Sequence, residues 1–320
     1  MSVPDITSSE NPRHPSWLGY RERGSVFAYW LIARLALLLG RRVTRLLLYP
    51  ICVYYLLFSR TTPRASRAYL TRVLGRPPRL AEVFRHHLYF ATALLDRVYL
   101  YSGQYDKFEV VCHNTEVLQE VFASGRGVLM LGAHLGSFEF MRASAAHRRY
   151  GFTSNMMMYE DNARKIATVL DGLDKHKERR IIPIGRVDAL LMARERLDRG
   201  ELVGILGDRA VGNDRLVWVP FLGRPAPFPA GPFLAAAALQ TPVILFYCLY
   251  DGGDRYELHF ERLTERMTIT RRSPAELEAW VRRYAARLEH YCRLSPYNWF
   301  NFYDFWGDQN SNGGTPPGTG

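Results

Sequence analysis

A histidine and a glutamate five residues apart are the first candidates for chemistry in this sequence. His134 and Glu139 lie in GAHLGSFEF, which follows the apolar run GVLML and precedes a stretch with a helical pattern. On one continuous helix, residues five apart point about 140° away from each other and could not cooperate. If His134 lies in a strand-to-helix turn and Glu139 in the first helical turn, the two side chains can meet.

Such a contact would suit proton transfer. Glu139 would accept a hydrogen bond from one imidazole nitrogen and leave the other nitrogen as a general base. Gly132 and Gly136 would let the backbone turn closely, and N–H groups at the helix start would suit a developing oxyanion. The spacing is also compatible with a loop histidine and a first-turn carboxylate that do no chemistry, so the pattern alone leaves both interpretations open.

A second polar segment, ILGDRAVG, also follows an apolar run that reads as a strand. It carries Asp208 and Arg209. In α/β sheets, functional groups gather in the loops beyond the strand ends, and both segments occupy that position. The alternative for this pair is a strand-end aspartate bound to its neighbouring surface arginine.

Other chemistries fit the sequence less well. There is no G-x-S-x-G elbow and no H-E-x-x-H, and the glycines of GRGVLM precede a strand rather than follow one, as a dinucleotide site requires. The cysteines form no C-x-x-C pair, which argues against a zinc ribbon or a redox dithiol and favours reduced, buried thiols. They are Cys52, Cys112, Cys248 and Cys292.

Strand and helix patterns alternate along the chain from about residue 108. The strand-like runs are GVLMLGA, RIIPI, ELVGIL, PVILFYCLYD and DRYELHFERL, and the last two should pair antiparallel across Gly252 and Gly253. VDALLMARERLDRG reads as a helix with Val187, Leu190, Leu191 and Leu197 on its apolar face. The alternation predicts an α/β fold with a mixed, mostly parallel central sheet and helices on both faces.

The N-terminal part divides into a polar flexible stretch, residues 1–25, and an apolar stretch, residues 26–60. Basic residues interrupt the apolar stretch, and each apolar piece is shorter than the roughly 20 residues that span a bilayer. This favours a helical membrane anchor whose two helices lie in the interface, with arginines at headgroup level. A helical pair buried in a soluble core is the alternative. The arginines are Arg34, Arg41, Arg42 and Arg45.

The net charge of +11 favours partners with negative surfaces: nucleic acid, anionic lipid or an acidic protein. A nucleic-acid-binding protein should show a clustered basic face with exposed stacking aromatics. Here the arginines are spread along the chain and the aromatics lie in apolar runs, so we expect no nucleic-acid partner.

In the segments around His134 and Asp208, the sequence resembles a known family. GVLMLGAHLGSFEF is similar to the His-x4-acid motif of glycerolipid and lipid A acyltransferases, which belong to the lysophospholipid acyltransferase superfamily. It most resembles the bacterial lipid A lauroyl/myristoyl branch. ILGDRAVG and WVPFLGRPAPFPAGPFLAAAALQTPVILFY continue the likeness, which covers roughly residues 20–306. The closing PYNWFNFYDFW resembles a divergent subgroup, some members of which are linked to aryl-polyene lipids.

The resemblance implies an acyltransferase domain over residues 61–306. The stretch after it, residues 307–320, has no means of packing a core and should be a disordered tail. It implies transfer of an acyl group from an acyl-carrier protein or acyl-CoA to a hydroxyl of a lipid or glycolipid. The acyl transfer would take place on the anionic cytoplasmic face of the bacterial inner membrane. Neither a metal nor a cofactor is implied. A catalytically inactive lipid-binding or scaffold protein on the same fold is the alternative.

The resemblance also implies roles for individual residues. His134 would be the general base, oriented by Glu139. Asp208 and Arg209 would line the same cleft and bind substrate, together with Gly136 and Ser137. The family carries a functional arginine between the two motifs, for which this chain offers Arg179, Arg180 and Arg186. The final aromatic run could line an acyl channel or lie at the membrane interface, or it could pack as a strand in the core.

Overall fold

A computed structural model describes residues 26–59, 61–140, 153–159, 173, 181–210, 214–270 and 273–307. Seven strands of this part form one sheet in the order β1-β9-β8-β2-β5-β3-β4, and β6 and β7 form a separate hairpin. The strands are β1 (Glu109–His113), β2 (Val128–Gly136), β3 (Ser154–Met158), β4 (Ile181–Pro183), β5 (Leu202–Leu206), β6 (Leu216–Phe221), β7 (Arg224–Pro229), β8 (Val243–Gly252) and β9 (Arg255–Thr264).

The strand directions make the sheet mixed and mostly parallel. Strands β8, β2, β5, β3 and β4 run parallel to one another. Strand β9 is antiparallel to β8 across the turn at Gly252 and Gly253, and β1 is parallel to β9. The predicted sheet and the predicted hairpin are therefore confirmed.

Helices cover both faces of the sheet. Successive side chains of a strand point to opposite faces, and those of β2 divide in this way. Leu129 and Leu131 join a core with α2, α5, α6 and α7, whereas Val128 and Met130 join a second core with α1, α3 and α4. The helices are α1 (Val26–Phe58), α2 (Thr61–Leu74), α3 (Leu80–Tyr101), α4 (Glu116–Ala123), α5 (Ala189–Asp198), α6 (Gly231–Leu239) and α7 (Pro274–Leu294).

The predicted apolar face of α5 is confirmed at Leu197 and wrong at the other three positions. Val187 precedes the helix and is fully exposed, and Leu191 is also exposed. The buried positions are Ala189, Ala193 and Leu197, which lie four residues apart and hence on one side of the helix. Small alanines there let α5 pack closely, so the largest apolar side chains do not mark the buried face.

Helix α1 bends at Gly40, whose positive φ of 76° interrupts the helical backbone. Just beyond the bend, Arg41 is only 7% exposed and forms a two-pronged ion pair with Asp96 of α3, with both N–O distances 2.7 Å. Tyr256 donates to the same carboxylate at 2.6 Å. The predicted headgroup position is therefore wrong for Arg41, because a buried carboxylate requires a charged partner.

The side of α1 away from α3 is apolar and exposed. Its most exposed large side chains are Leu38, Leu46, Tyr54, Leu57 and Phe58. Among the described helices, none combines the length and the apolar character that crossing a bilayer requires. Residues 1–25, 308–320 and the helix predicted after Phe140 lie outside the described part of the chain.

Candidate active site

His134 and Asp208 meet at the ends of two adjacent parallel strands. The last registered pair of β2 and β5 is Gly132 with Leu206, and each of the two side chains lies two residues further on. The imidazole Nδ1 is 2.8 Å from Asp208 Oδ1, and the His134 backbone N–H donates to Oδ2 at 3.0 Å. Strands β2 and β5 are parallel and in register, so they end at the same edge of the sheet. The Asp208 carboxylate therefore lies beside the His134 ring.

Asp208 is a fully buried carboxylate that accepts four hydrogen bonds. Besides the two from His134, Trp299 Nε1 donates at 2.9 Å and Asn301 Nδ2 at 3.2 Å. An ionised carboxylate only accepts, so four donors fit the charged form. The His134 proton therefore lies on Nδ1, and the Nε2 lone pair faces away from Asp208.

Burial and a neighbouring positive charge favour the neutral form of His134. Burial lowers the pKa of His134, the positive charge of Arg209 lowers it further, and Asp208 partly opposes both. Burial raises the pKa of Asp208, but His134 and Arg209 together bring it below its ordinary value. The side chain of His134 is still 30% exposed. A neutral imidazole that a ligand can reach is suited to accept a proton.

The segment after α7 runs beside the end of β2 and completes the site. Leu135 and Trp299 form an antiparallel bridge, and the Phe300 N–H donates to the His134 carbonyl at 2.8 Å. The Asn298 side chain pairs with both backbone groups of Tyr250, at 2.8 and 3.0 Å, which ties the segment to β8. These contacts fix Trp299 and Asn301 where they reach Asp208.

The final aromatic run packs mostly in the core. Trp299, Phe300, Phe305 and Trp306 are buried, whereas Phe302 and Tyr303 are partly exposed. His86 holds the run from α3, because its Nε2 donates to the Trp299 carbonyl at 2.8 Å and its Nδ1 accepts from Ser66 at 2.8 Å. Burial lowers the pKa of His86 to about 3, so the ring is neutral in this chain of hydrogen bonds.

Glu139 lies where the helix after β2 begins, but the structure gives it a partner other than the predicted one. Its Oε1 is 3.1 Å from Arg97 Nε, and Ser137 Oγ lies 3.4 Å from Oε2. Strand β2 continues to Gly136, so His134 lies within the strand and Glu139 lies beyond the turn. The carboxylate that holds the imidazole is therefore that of Asp208 and not that of Glu139, which the sequence predicts.

Gly136 and Ser137 shape the turn, and their amides are already used. Gly136 has φ +72° and donates to the Asn298 carbonyl at 2.8 Å. Ser137 is fully buried and its N–H donates to the Cys248 carbonyl at 3.0 Å. Neither N–H is available to a substrate oxygen, and the substrate-binding role of both residues stays a prediction.

Arg209 places a positive charge beside the pair. Its Nε donates to Asn301 Oδ1 at 2.6 Å and its Nη2 to the Phe300 carbonyl at 2.7 Å. Arg97, on α3, is close enough to contribute to the lowered pKa of His134. Of the arginines predicted between the two motifs, Arg186 is exposed and paired with Asp188. Arg179 and Arg180 lie outside the described residues.

The sequence matches a known protein family along most of its length. The model of a family described as bacterial lipid A biosynthesis acyltransferase matches residues 18–307. The chain belongs to this family. As a member of the lipid A biosynthesis acyltransferase family, the protein is an acyltransferase. No curated protein matches the sequence significantly, and the link to aryl-polyene lipids stays a prediction.

Sequence reasoning missed the contacts that three residues make at this candidate site. Trp299 and Asn301 donate to Asp208, and Arg97 pairs with Glu139. A tryptophan and an asparagine inside an apolar run were the available signal, since buried polar groups need partners. Nothing in the sequence marks Arg97 as a site residue, because a single arginine on an amphipathic helix is usually exposed to solvent.

Proposed function

We propose that this acyltransferase moves an acyl group from the thioester of an acyl-carrier protein or acyl-CoA to a hydroxyl of a lipid or glycolipid. His134 is the general base in this proposal. The observation that carries it is the 2.8 Å contact between His134 Nδ1 and the buried Asp208. That contact directs the basic Nε2 towards the exposed side of the ring, where no described residue hydrogen-bonds it.

The reaction needs one proton carrier. His134 Nε2 removes the proton of the acceptor hydroxyl as its oxygen forms a bond to the thioester carbon. When the tetrahedral intermediate collapses, the carbon–sulfur bond breaks and the thiolate takes the proton back from Nε2. Asp208 holds the ring in one tautomer and stabilises the imidazolium between these steps, as the aspartate does in a serine-protease triad.

Two arginines supply positive charge for the anionic groups of the reaction. Arg209 is held by Asn301 and by the Phe300 carbonyl, so its guanidinium is positioned before substrate arrives. A fixed guanidinium suits a phosphate of the donor's pantetheine arm or the oxyanion of the intermediate. Glu139 acts through its ion pair with Arg97 in this proposal, as a positioning residue.

The surface of the protein suits a lipid acceptor. The exposed apolar side of α1 resembles helices that lie in the membrane interface, and the net charge of +11 favours an anionic leaflet and an acidic carrier protein. We place the protein on the cytoplasmic face of the bacterial inner membrane. There α1 would hold the acyltransferase domain against the lipid phase.

An acyl-transfer assay tests the proposal. Membranes containing the wild type, His134→Ala or His290→Ala receive labelled acyl-carrier protein or acyl-CoA, with a total lipid extract as acceptor. His290 is exposed on α7 and serves as the control. We expect label in lipid with the wild type and the control, and none with His134→Ala. Equal transfer by His134→Ala would contradict the role of the histidine, and no transfer by any protein would favour a non-catalytic lipid-binding role.

A further inference from the structure

Three potential metal ligands meet on one face of the sheet, in the outer pair of strands. His113 at the end of β1 is the registered neighbour of His259 on β9, and Glu257 lies two residues before His259 on the same strand. Residues two apart in a strand share a face. Strand β8 separates this pair of strands from β2, which carries His134, so the cluster is distinct from the acyl-transfer site.

The ligand atoms converge. The Nε2 atoms of His113 and His259 each lie 3.7 Å from Glu257 Oε2, and all three atoms lie within 4.8 Å of one another. The two imidazole rings stack almost parallel, with centroids 4.4 Å apart and an interplanar angle of 7°. Arg255 binds the other carboxylate oxygen, Oε1, at 2.9 Å and so directs Oε2 towards the histidines.

These nitrogens lack a hydrogen-bond partner in the part of the chain that the structure describes. The Nε2 atoms of His113 and His259 are both buried, and neither has a hydrogen-bond partner among the described residues. A separation of 3.7 Å is too long for a hydrogen bond to the carboxylate. Buried polar atoms that point at one another across such a gap require an explanation, such as an ion that they share.

A further carboxylate on the strand does not provide that explanation. Glu261, on the same face of β9, is already bound by Arg287 and Tyr291, so its carboxylate does not serve the histidines.

We propose that His113, Glu257 and His259 bind a divalent transition-metal cation of the zinc class. Neutral imidazole nitrogen and carboxylate oxygen are donors that such cations accept. In a tetrahedral zinc site with bonds of about 2.0–2.1 Å, neighbouring ligand atoms lie about 3.4 Å apart. The two observed 3.7 Å separations therefore need only small movements of the side chains, and the two imidazole nitrogens, which lie within 4.8 Å of each other, must move closer together. The ion would fasten the short edge strand β1 to β9.

Metal titration of the full-length protein in detergent tests this site without using acyl transfer. After treatment with a chelator, the protein is titrated with Co²⁺ and with Zn²⁺, followed by the visible absorbance of cobalt, by calorimetry and by the melting temperature. We expect one equivalent to bind and to raise the melting temperature. His113→Ala and Glu257→Gln should each weaken binding at least about ten-fold, since even outer-shell partners of metal ligands contribute 10–100-fold.

The variants are chosen so that loss of folding does not obscure the result. The His113 side chain is 40% exposed, so its removal leaves the core intact. Equal melting temperatures of the metal-free wild type and variant verify this. His290→Ala removes a histidine outside the cluster and should bind as the wild type does. Binding of clearly less than one equivalent of metal by the wild type would overturn the proposal. An unchanged metal affinity in both ligand variants would also overturn it.

Discussion

The imidazole of His134 is hydrogen-bonded to the carboxylate of Asp208, although the two residues belong to different strands and distant parts of the chain. The 2.8 Å contact arises because β2 and β5 are parallel and in register up to Gly132 and Leu206. Two residues later each strand presents its functional side chain at the same edge of the sheet. A histidine and a buried aspartate placed in this way are suited to act as a base and its orienting group, as we propose for this pair.

The pH dependence should report the charges around His134. Burial and Arg209 lower its pKa, so the base stays deprotonated below the ordinary histidine value of about 6.5. The acid limb of kcat/KM should therefore lie below that value in the wild type. Arg209→Gln removes a cation, which raises the pKa of His134 and moves the limb to higher pH. Arg209→Lys keeps the charge and should leave the limb nearly in place, and a shift to lower pH in Arg209→Gln would contradict the assignment.

Trp299→Phe tests the hydrogen bond that holds Asp208 from the C-terminal segment. The substitution keeps an aromatic ring but removes the Nε1–H that donates to Asp208. Loss of a hydrogen bond to a charged, buried group should cost about 1.5–3 kcal/mol of unfolding free energy. The transfer rate should fall as well. Trp280→Phe is the control, because Trp280 Nε1 donates to the exposed Thr268 carbonyl, and equal losses in urea unfolding would argue against the role of Trp299.

Gly136→Ala tests the close approach of the turn to β8. A Cβ at this position would lie 1.6 Å from the Cys248 carbonyl oxygen, and the residue has a positive φ. The variant should lose far more stability than the roughly 1–2 kcal/mol that a left-handed conformation alone costs. Gly223→Ala is the matched control, since Gly223 has φ +82° and open space around it. Similar melting temperatures for the two variants would contradict the packing at Gly136.

The sequence predicts those strands that are continuous apolar runs. Strands β2, β5 and β8 are buried on both faces, and this burial imposes an apolar residue at nearly every position. Strand β3, with the sequence SNMMM, has no β-branched residue. Strand β7 carries three prolines, which are tolerated because it lies in a two-stranded hairpin. Neither of these strands shows an alternating pattern, so periodicity does not reveal them.

The sequence predicts the edge of the sheet at which the site lies but not its partners. Both His134 and Asp208 follow apolar runs, which is enough to place them at strand ends. Which carboxylate reaches the imidazole depends on the register between β2 and β5. The spacing of residues along the chain does not reveal how two distant strands pair. For the same reason the donors Trp299 and Asn301 come from a segment that only the folded chain brings near Asp208.

The initial rate of acyl transfer by Asp208→Asn, measured beside Glu139→Gln and the wild type, tests the central claim most directly. Asparagine would offer an amide N–H where His134 needs an acceptor, so the ring would lose its productive tautomer. We expect a fall of about ten thousand-fold, as in serine proteases that lack the orienting carboxylate. Glu139→Gln breaks an ion pair with Arg97 and not a contact with the ring, so its loss should be smaller. An Asp208→Asn rate within about ten-fold of the wild type, with Glu139→Gln inactive, would contradict the account and return the orienting role to Glu139.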